Sequence, residues 1–221
     1  MTAFTPRRDI LPPAQNLLWP ELRNAAALGF VLYGGTAIAL RLGHRQSVDF
    51  DFFAKRPLDR DAMREALPFL STATVIQDEP RSFTVLVPFP GEEESHVKIS
   101  FFGGIHVDRI REPDWTDDGN LLVASLDDLM ATKLKVILQR VEAKDYQDVA
   151  AMIAAGVNLG TGLSASRQLY GNTFQASEAI KALVYFEGGD LSSLSDSDRQ
   201  TLIRAATEVR TLFEPRNPMI P

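Results

Sequence analysis

One short stretch of the chain constrains its fold more than any other. The apolar residues 30–33 predict a buried strand, and Gly34 and Gly35 then turn the chain into a helix that Thr36 can cap. Residues 47–53 alternate polar and apolar side chains with a period of two, which predicts a second strand. A strand, a tight turn, one helix and another strand bring the glycine turn beside the second strand. The first half of the chain is therefore expected to be α+β.

Two aspartates carry the chemistry of this stretch. Asp49 and Asp51 lie two residues apart on the second predicted strand, so both carboxylates project from the same face. Two such charges repel each other unless a cation neutralises them. Mg²⁺ favours one or two carboxylates together with waters and substrate phosphate oxygens. The pair taken alone is more often two solvent-facing aspartates at a strand end, and it is the glycine turn beside it that favours a divalent-metal site.

The glycine turn predicts a place for phosphates. Backbone N–H groups at a helix start can receive a phosphate, and the missing side chains of Gly34 and Gly35 let it approach. Arg45 precedes the acidic strand, where its guanidinium either holds a phosphate or pairs with Asp49 or Asp51. The turn and the acid pair together predict a nucleotide-phosphate site.

The second half of the chain has a different pattern. Residues 72–76, 82–87 and 96–102 predict the last strands, and from about Ser125 onward the pattern is one of helices separated by glycine and serine. We therefore expect two domains, with an α+β domain over residues 1–120 and a helical domain over residues 121–221.

Two cations stand on the apolar stripe of the first helix in this second half. Lys133 and Arg140 are seven residues apart on that stripe, and buried cations need anions. They either form salt bridges with Asp145 and Asp148 or face a cleft between domains and meet nucleotide phosphates. We favour phosphate contact for Lys133, with Arg140 and the two aspartates mainly fixing the helix pair. An acid in this segment is also a candidate base for an attacking hydroxyl.

Composition excludes several classes of function. The chain has no cysteine and three histidines, which rules out disulfide frameworks, thiolate catalysis and cysteine-ligated zinc. A net charge of -6 argues against a strong general nucleic-acid binder. No apolar run reaches the roughly 20 residues that a membrane crossing needs. We expect a cytoplasmic protein without a membrane partner.

The two motifs together resemble the AbiEii/AbiGii toxin nucleotidyltransferase family of the polymerase-β-like nucleotidyltransferase superfamily. The matching strings are GGTAIALRLGHRQSVDFDFF at residues 34–53 and LMATKLKVILQRVEAKDYQDVAAMI at residues 129–153. The resemblance implies a nucleotidyltransferase-like mixed sheet with flanking helices, followed by a helical C-terminal domain. It also implies transfer of a nucleotidyl group from an NTP, in some members onto the acceptor end of tRNA, and control by an antitoxin.

The resemblance also implies roles for individual residues. It implies that Asp49 and Asp51 are ligands of Mg²⁺ or Mn²⁺. It implies that Gly34, Gly35 and Thr36 contact nucleotide phosphates, and that Lys133 and Asp145 are further functional residues.

One position departs from the superfamily pattern. Its enzymes usually place a third carboxylate on a later strand, and Ser100 stands at that position here. A hydroxyl is a weak Mg²⁺ ligand and no base near neutral pH. Asp108 is a substitute if its strand neighbours the acidic strand. The alternative is a catalytically impaired nucleotide- or protein-binding module of the same fold. A glycosyltransferase that uses its D-x-D motif is a third hypothesis, disfavoured because no Rossmann-like series of βα units surrounds the motif.

Overall fold

A computed structural model describes residues 2–89, 96–105 and 109–213, with side chains described as far as residue 209 in the last helix. The strands of the described part are β1 (Ala3–Phe4), β2 (Val31–Tyr33), β3 (Asp49–Phe53), β4 (Thr74–Glu79), β5 (Ser82–Pro88), β6 (His96–Phe102), β7 (Asp114–Thr116) and β8 (Leu122–Val123). The α-helices are α1 (Pro13–Leu18), α2 (Gly34–Leu42), α3 (Arg60–Ala66), α4 (Leu126–Ile137), α5 (Ala143–Ala154), α6 (Leu159–Tyr170), α7 (Ala176–Leu183) and α8 (Asp196–Phe213).

All of these strands form one mixed sheet in the order β1-β7-β8-β2-β3-β6-β5-β4. At its centre β3 runs antiparallel to β2 and parallel to β6. Strands β4, β5 and β6 form the antiparallel meander predicted from the sequence. Strands β1, β7 and β8 were not predicted.

The alternation along β3 and β6 separates a core face from a polar face. Phe50, Phe52, Ile99 and Phe101 are fully buried on one face of the sheet. Because directly paired residues of neighbouring strands share a face, their neighbours along the two strands point to the opposite side. Burial of the large aromatic side chains fixes this register, since a one-residue slip would expose them.

Helix α2 connects β2 to β3 and sets the geometry of the glycine turn. It begins at Gly34, two residues before Thr36, so the prediction that Thr36 caps this helix is wrong. It ends at Gly43, whose φ of 66° is left-handed, as expected for a glycine that ends a helix. The helix therefore starts directly where β2 stops.

The chain divides into two compact units, Met1–Leu129 and Met130–Pro221. The first unit contains the described sheet, including β7 and β8 on either side of residue 120, and the second contains α5 to α8. The predicted fold class, a mixed sheet with flanking helices followed by a helical part, is confirmed. In the described residues, no helix combines the length and apolar character that a membrane crossing requires.

Candidate active site

The acid pair lies on the polar face of β3, near the centre of the sheet. Asp51 is paired with Tyr33 of β2 and with Ser100 of β6, and Asp49 is paired with Lys98 of β6. Both aspartates are half-buried, and the side chain of Asp49 keeps 38% of its surface exposed. Lys98 Nζ lies 3.9 Å from Asp49 Oδ2, at the limit of an ion pair. These carboxylates therefore remain in contact with solvent.

The glycine turn packs directly against this pair. Gly34 has a φ of 74°, and a Cβ at this position would lie 2.7 Å from Asp51 Oδ2. A Cβ at Gly35 would lie 2.3 Å from Arg45 Nη2. The positive φ of Gly34 favours glycine there, and a side chain at either position would displace the carboxylate or the guanidinium. The structure thus brings the turn, the arginine and the acid pair together.

Arg45 is held at the turn by its own loop. Its Nη1 donates a hydrogen bond of 2.8 Å to the carbonyl oxygen of Gln46, while Nη2 lies over Gly35. This hydrogen bond orients the guanidinium toward the turn.

The hydroxyl of Thr36 makes hydrogen bonds within the fold. Its side chain is buried, with 1% of the residue exposed, and its hydroxyl is hydrogen-bonded to Ser47 Oγ at 2.8 Å. The same hydroxyl donates to the carbonyl oxygen of Asp49. Thr36 thus ties the start of α2 to the start of β3. Its hydroxyl positions the acidic strand, and a direct phosphate contact by Thr36 stays a prediction.

The position of the third carboxylate is occupied by a buried hydroxyl residue. Ser100 is 4% exposed and is the register partner of Asp51 on β6. The sequence analysis expects this serine in place of the third carboxylate of the superfamily. In the described part of the chain, no three aspartate, glutamate or histidine side chains converge as a metal cluster. Asp108, the candidate substitute, lies outside the described residues. The described site is therefore a two-carboxylate site.

The second predicted cluster lies in the second unit. Lys133 Nζ is 2.6 Å from Asp145 Oδ1 and 2.7 Å from Asp148 Oδ2, and both aspartate side chains are 0% exposed. Arg140 Nε donates to Asp145 Oδ2 at 2.8 Å. These are the contacts of the salt-bridge alternative. The phosphate contact that we favoured for Lys133 is not among them and stays a prediction.

This network sets the protonation of Asp145. Burial raises the pKa of its carboxyl, but the hydrogen bond from Arg140 and the charge and hydrogen bond of Lys133 outweigh burial and bring the pKa below its ordinary value of 3.8. The carboxylate is therefore ionised near neutral pH and is a weak proton acceptor in this arrangement.

Sequence reasoning missed two residues of the site. Lys98 approaches Asp49 from β6, and Ser47 holds Thr36 in place. The period of two along β6 places Lys98 and Ser100 on one face, but nothing in the sequence states that this face adjoins β3. Ser47 carried no signal apart from its closeness to the acidic strand.

The comparison with known families identifies the chain. The family described as "Nucleotidyl transferase AbiEii toxin, Type IV TA system" matches residues 19–211. The chain belongs to the AbiEii nucleotidyltransferase toxin family. This confirms the family resemblance drawn from the two sequence motifs.

Two individual proteins are similar to this AbiEii family member at low sequence identity. An uncharacterised protein of Aquifex aeolicus (strain VF5) is 29% identical over 173 residues, which cover 75% of this chain and 80% of the relative. Among solved structures, MenT4, the nucleotidyltransferase toxin Rv2826c from Mycobacterium tuberculosis H37Rv, matches with a TM-score of 0.55 at 15% identity. The match covers 91% of this chain and 80% of that one. At that identity the likeness establishes a shared fold. Family and fold together support nucleotidyl transfer in a toxin system as the general function.

Proposed function

We propose that this AbiEii family member transfers a nucleoside monophosphate from an NTP to an RNA acceptor, such as the end of a tRNA, with Mg²⁺ or Mn²⁺ as cofactor. One observation carries the proposal: two half-exposed carboxylates, Asp49 and Asp51, adjoin a glycine turn at a helix start. In this reaction an acceptor hydroxyl oxygen forms a bond to the α-phosphorus. The bond from that phosphorus to pyrophosphate breaks, and the hydroxyl proton leaves to a base.

The donor set at the acid pair suits a divalent cation. Asp49 and Asp51 present oxygen ligands from one face of β3, and Mg²⁺ is commonly bound by one or two carboxylates with waters and phosphate oxygens completing its shell. A cation bound there supplies positive charge to the phosphates and orients them. The tight packing of Gly34 against Asp51 supports the same assignment, because it leaves no side chain between the turn and the carboxylate.

The remaining roles at this site follow from charge and position. We assign the backbone N–H groups at the start of α2 to the triphosphate, with the planar cation of Arg45 beside them. Thr36 holds the two halves of the site together through the carbonyl oxygen of Asp49. Preorganised positive groups of this kind stabilise the charge that develops on the phosphates during in-line transfer.

Lys133 and Asp145 are included in the proposal because the family resemblance implies that they are functional residues. We propose that the ion pairs of Lys133 hold Asp145 and Asp148 in place as charged groups, so that loss of Lys133 acts on the activity through these aspartates. Direct contact of Lys133 with phosphate and proton transfer by Asp145 are the alternatives. The family also supports an antitoxin as the protein that restrains the activity.

The test is label transfer with matched aspartate variants. The purified protein is incubated with Mg²⁺, each α-³²P-labelled NTP in turn and total bacterial RNA. We expect label in RNA with the wild type and a loss of at least about 100-fold with Asp49→Asn or Asp51→Asn, of the order found when a catalytic electrostatic group is removed. Asp61→Asn is the control, because the side chain of Asp61 is 97% exposed on α3. Equal labelling by the Asp49→Asn variant would overturn the proposal.

A second candidate function is favoured by Ser100. Its place beside Asp51, where the superfamily usually has an acid, is compatible with a module that binds nucleotide without turnover. That function predicts nucleotide binding by the wild type without label transfer from any NTP. It also predicts that Ser100→Asp gains transfer, whereas an active two-carboxylate enzyme does not need this change.

A further inference from the structure

Three aromatic rings stand on the polar face of the sheet beside the acid pair. Tyr33 is the β2 partner of Asp51, and Phe53 follows Asp51 by two residues on β3, so it lies on the same face. Phe102 of β6 is the register partner of Phe53. The rings therefore occupy the face that carries the carboxylates, away from the core aromatics.

The rings form one continuous cluster. The centroids of Phe53 and Phe102 are 4.7 Å apart with an angle of 27° between the planes, and those of Tyr33 and Phe53 are 5.1 Å apart in an edge-to-face arrangement. Contacts of this kind hold side chains in fixed orientations. The cluster forms one aromatic surface that spans three neighbouring strands.

Burial separates this cluster from the aromatic core. Phe50, Phe52 and Phe101 on the opposite face are all 0% exposed, whereas each ring of the cluster is only partly buried. In β3 the alternation of acid and phenylalanine breaks at Phe53, which stands where the pattern calls for a third polar residue. Apolar rings that keep solvent-exposed surface beside a charged site are typical of ligand contact.

The cluster is continuous with the proposed phosphate site. Tyr33 is followed directly by Gly34, and about 6.6 Å of strand separates the Cα atoms of Asp51 and Phe53, two residues at the usual rise. A nucleotide whose phosphates lie at the glycine turn carries its base one ribose away. Tyr33 adjoins the turn, and Phe53 and Phe102 continue the aromatic surface along the same face.

We propose that Tyr33, Phe53 and Phe102 form a stacking platform for a nucleobase of the substrate. The inference rests on the proposed function, since it uses the phosphate site as its anchor. Aromatic faces stack with every base, so the platform contributes affinity without reading base edges. The base belongs either to the donor NTP or to the 3′ nucleotide of the RNA acceptor, and the experiment separates the two sources.

The first arm compares ATP with inorganic tripolyphosphate, which has the phosphates but no base. Binding of each to the protein is measured by calorimetry in the presence of Mg²⁺. We expect ATP to bind more tightly than tripolyphosphate. We further expect Phe53→Leu and Phe102→Leu to weaken ATP binding about tenfold, in line with the stacking contribution of one base, with tripolyphosphate binding unchanged. Leucine preserves apolar bulk at both positions, and Tyr185→Leu is the control because Tyr185 is 64% exposed in the second unit.

The second arm replaces ATP by a short single-stranded RNA and by the same RNA with an abasic 3′ nucleotide. If the leucine variants lose about tenfold in affinity for ATP, the platform stacks the donor base. If they lose it only for the RNA with an intact 3′ base, the platform stacks the acceptor base. If neither affinity changes in either variant, the inference is overturned. A wild type that binds neither ATP nor tripolyphosphate contradicts the proposed donor site, and the RNA arm then decides the platform by itself.

Discussion

Two pairs of aspartates in this chain differ in burial and in the ion pairs that they make. Asp49 and Asp51 stand two residues apart on a strand and are half-buried, with Lys98 at 3.9 Å from Asp49. Asp145 and Asp148 stand three residues apart on a helix and are 0% exposed, and they share Lys133 at 2.6 and 2.7 Å. Aspartates at similar spacing therefore stand in two different environments, one half-exposed and one fully buried.

The difference shows what solvent contact allows. A buried carboxylate cannot recruit a cation from solution without a large desolvation cost, so the fold itself must supply its counter-charge. A half-exposed pair keeps access to ions and phosphates from outside. We call Asp49 and Asp51 the strand pair, and Asp145 and Asp148 the helix pair. The strand pair is therefore suited to binding ions or phosphates, whereas the helix pair is suited to stabilising the second unit.

The largest effect is expected from removing the shared cation of the helix pair. Lys133→Met leaves two buried carboxylates without their common partner, and breaking a buried ion pair in this way costs about 3 to 5 kcal/mol of unfolding free energy. Urea unfolding followed by circular dichroism measures the change. Lys181→Met is the matched control, since Lys181 makes an exposed i,i+3 pair with Glu178. A loss below about 1 kcal/mol for Lys133→Met would show that the pair is not structural.

A change in the acid dependence of stability is the second prediction. The pKa of Asp145 is lower in the folded protein than its ordinary 3.8, so the folded state binds fewer protons than the unfolded state in this range. The stability that this carboxylate contributes is present above pH 3.8 and is lost as the pH falls below that value. Asp145→Asn should therefore flatten the fall in unfolding free energy below pH 3.8. Parallel curves for the variant and the wild type would contradict the assignment.

A smaller effect is expected at the hydroxyl that anchors the strand pair. Thr36→Val keeps the shape of the side chain but removes its hydrogen bonds to Ser47 and to the carbonyl oxygen of Asp49. Loss of a buried hydrogen bond that leaves an acceptor unsatisfied costs about 1 to 3 kcal/mol. Thermal unfolding measures this loss, and label transfer should fall with it because Asp49 is no longer held. A stable, fully active Thr36→Val protein would show that the anchor is dispensable.

The smallest effect is expected at Lys98. Its ion pair with Asp49 is long and both side chains are well exposed, and such pairs contribute between about 0 and 1 kcal/mol. Lys98→Met should leave the urea midpoint nearly unchanged. It should also strengthen Mn²⁺ binding at the strand pair, because a competing cation is gone. A large destabilisation would show instead that Lys98 is the structural counter-ion of Asp49.

The arrangement of the strand pair could be predicted because it is local. The glycine turn, α2 and the acidic strand follow one another without a break, and a chain that turns back after one helix must place β3 near β2. The start of α4 is equally local, because Ser125 and Asp128 form a capping box in which the N–H of Asp128 donates to Ser125 Oγ at 3.1 Å. Such features can be predicted because they depend only on residues that are close together in the sequence.

What could not be predicted depends on distant pairing. Strand β1 pairs in parallel with β7, with Ala3 opposite Trp115, and each strand has only two or three residues, too few for a period to appear. The partners of Lys133 were ambiguous for a related reason. Its place on the apolar stripe required an anion, but which anion it meets depends on the turn between α4 and α5, which the periodicity does not describe.

The most direct test of the comparison is the binding of Mn²⁺ followed by electron paramagnetic resonance, with wild type, Asp51→Asn and Asp61→Asn measured side by side. We expect the wild type and the exposed control Asp61→Asn to bind Mn²⁺ alike, and Asp51→Asn to lose binding, because the proposed function assigns both carboxylates of β3 as ligands of the cation. Equal Mn²⁺ binding by all three proteins would contradict the assignment of Asp49 and Asp51 as the metal ligands.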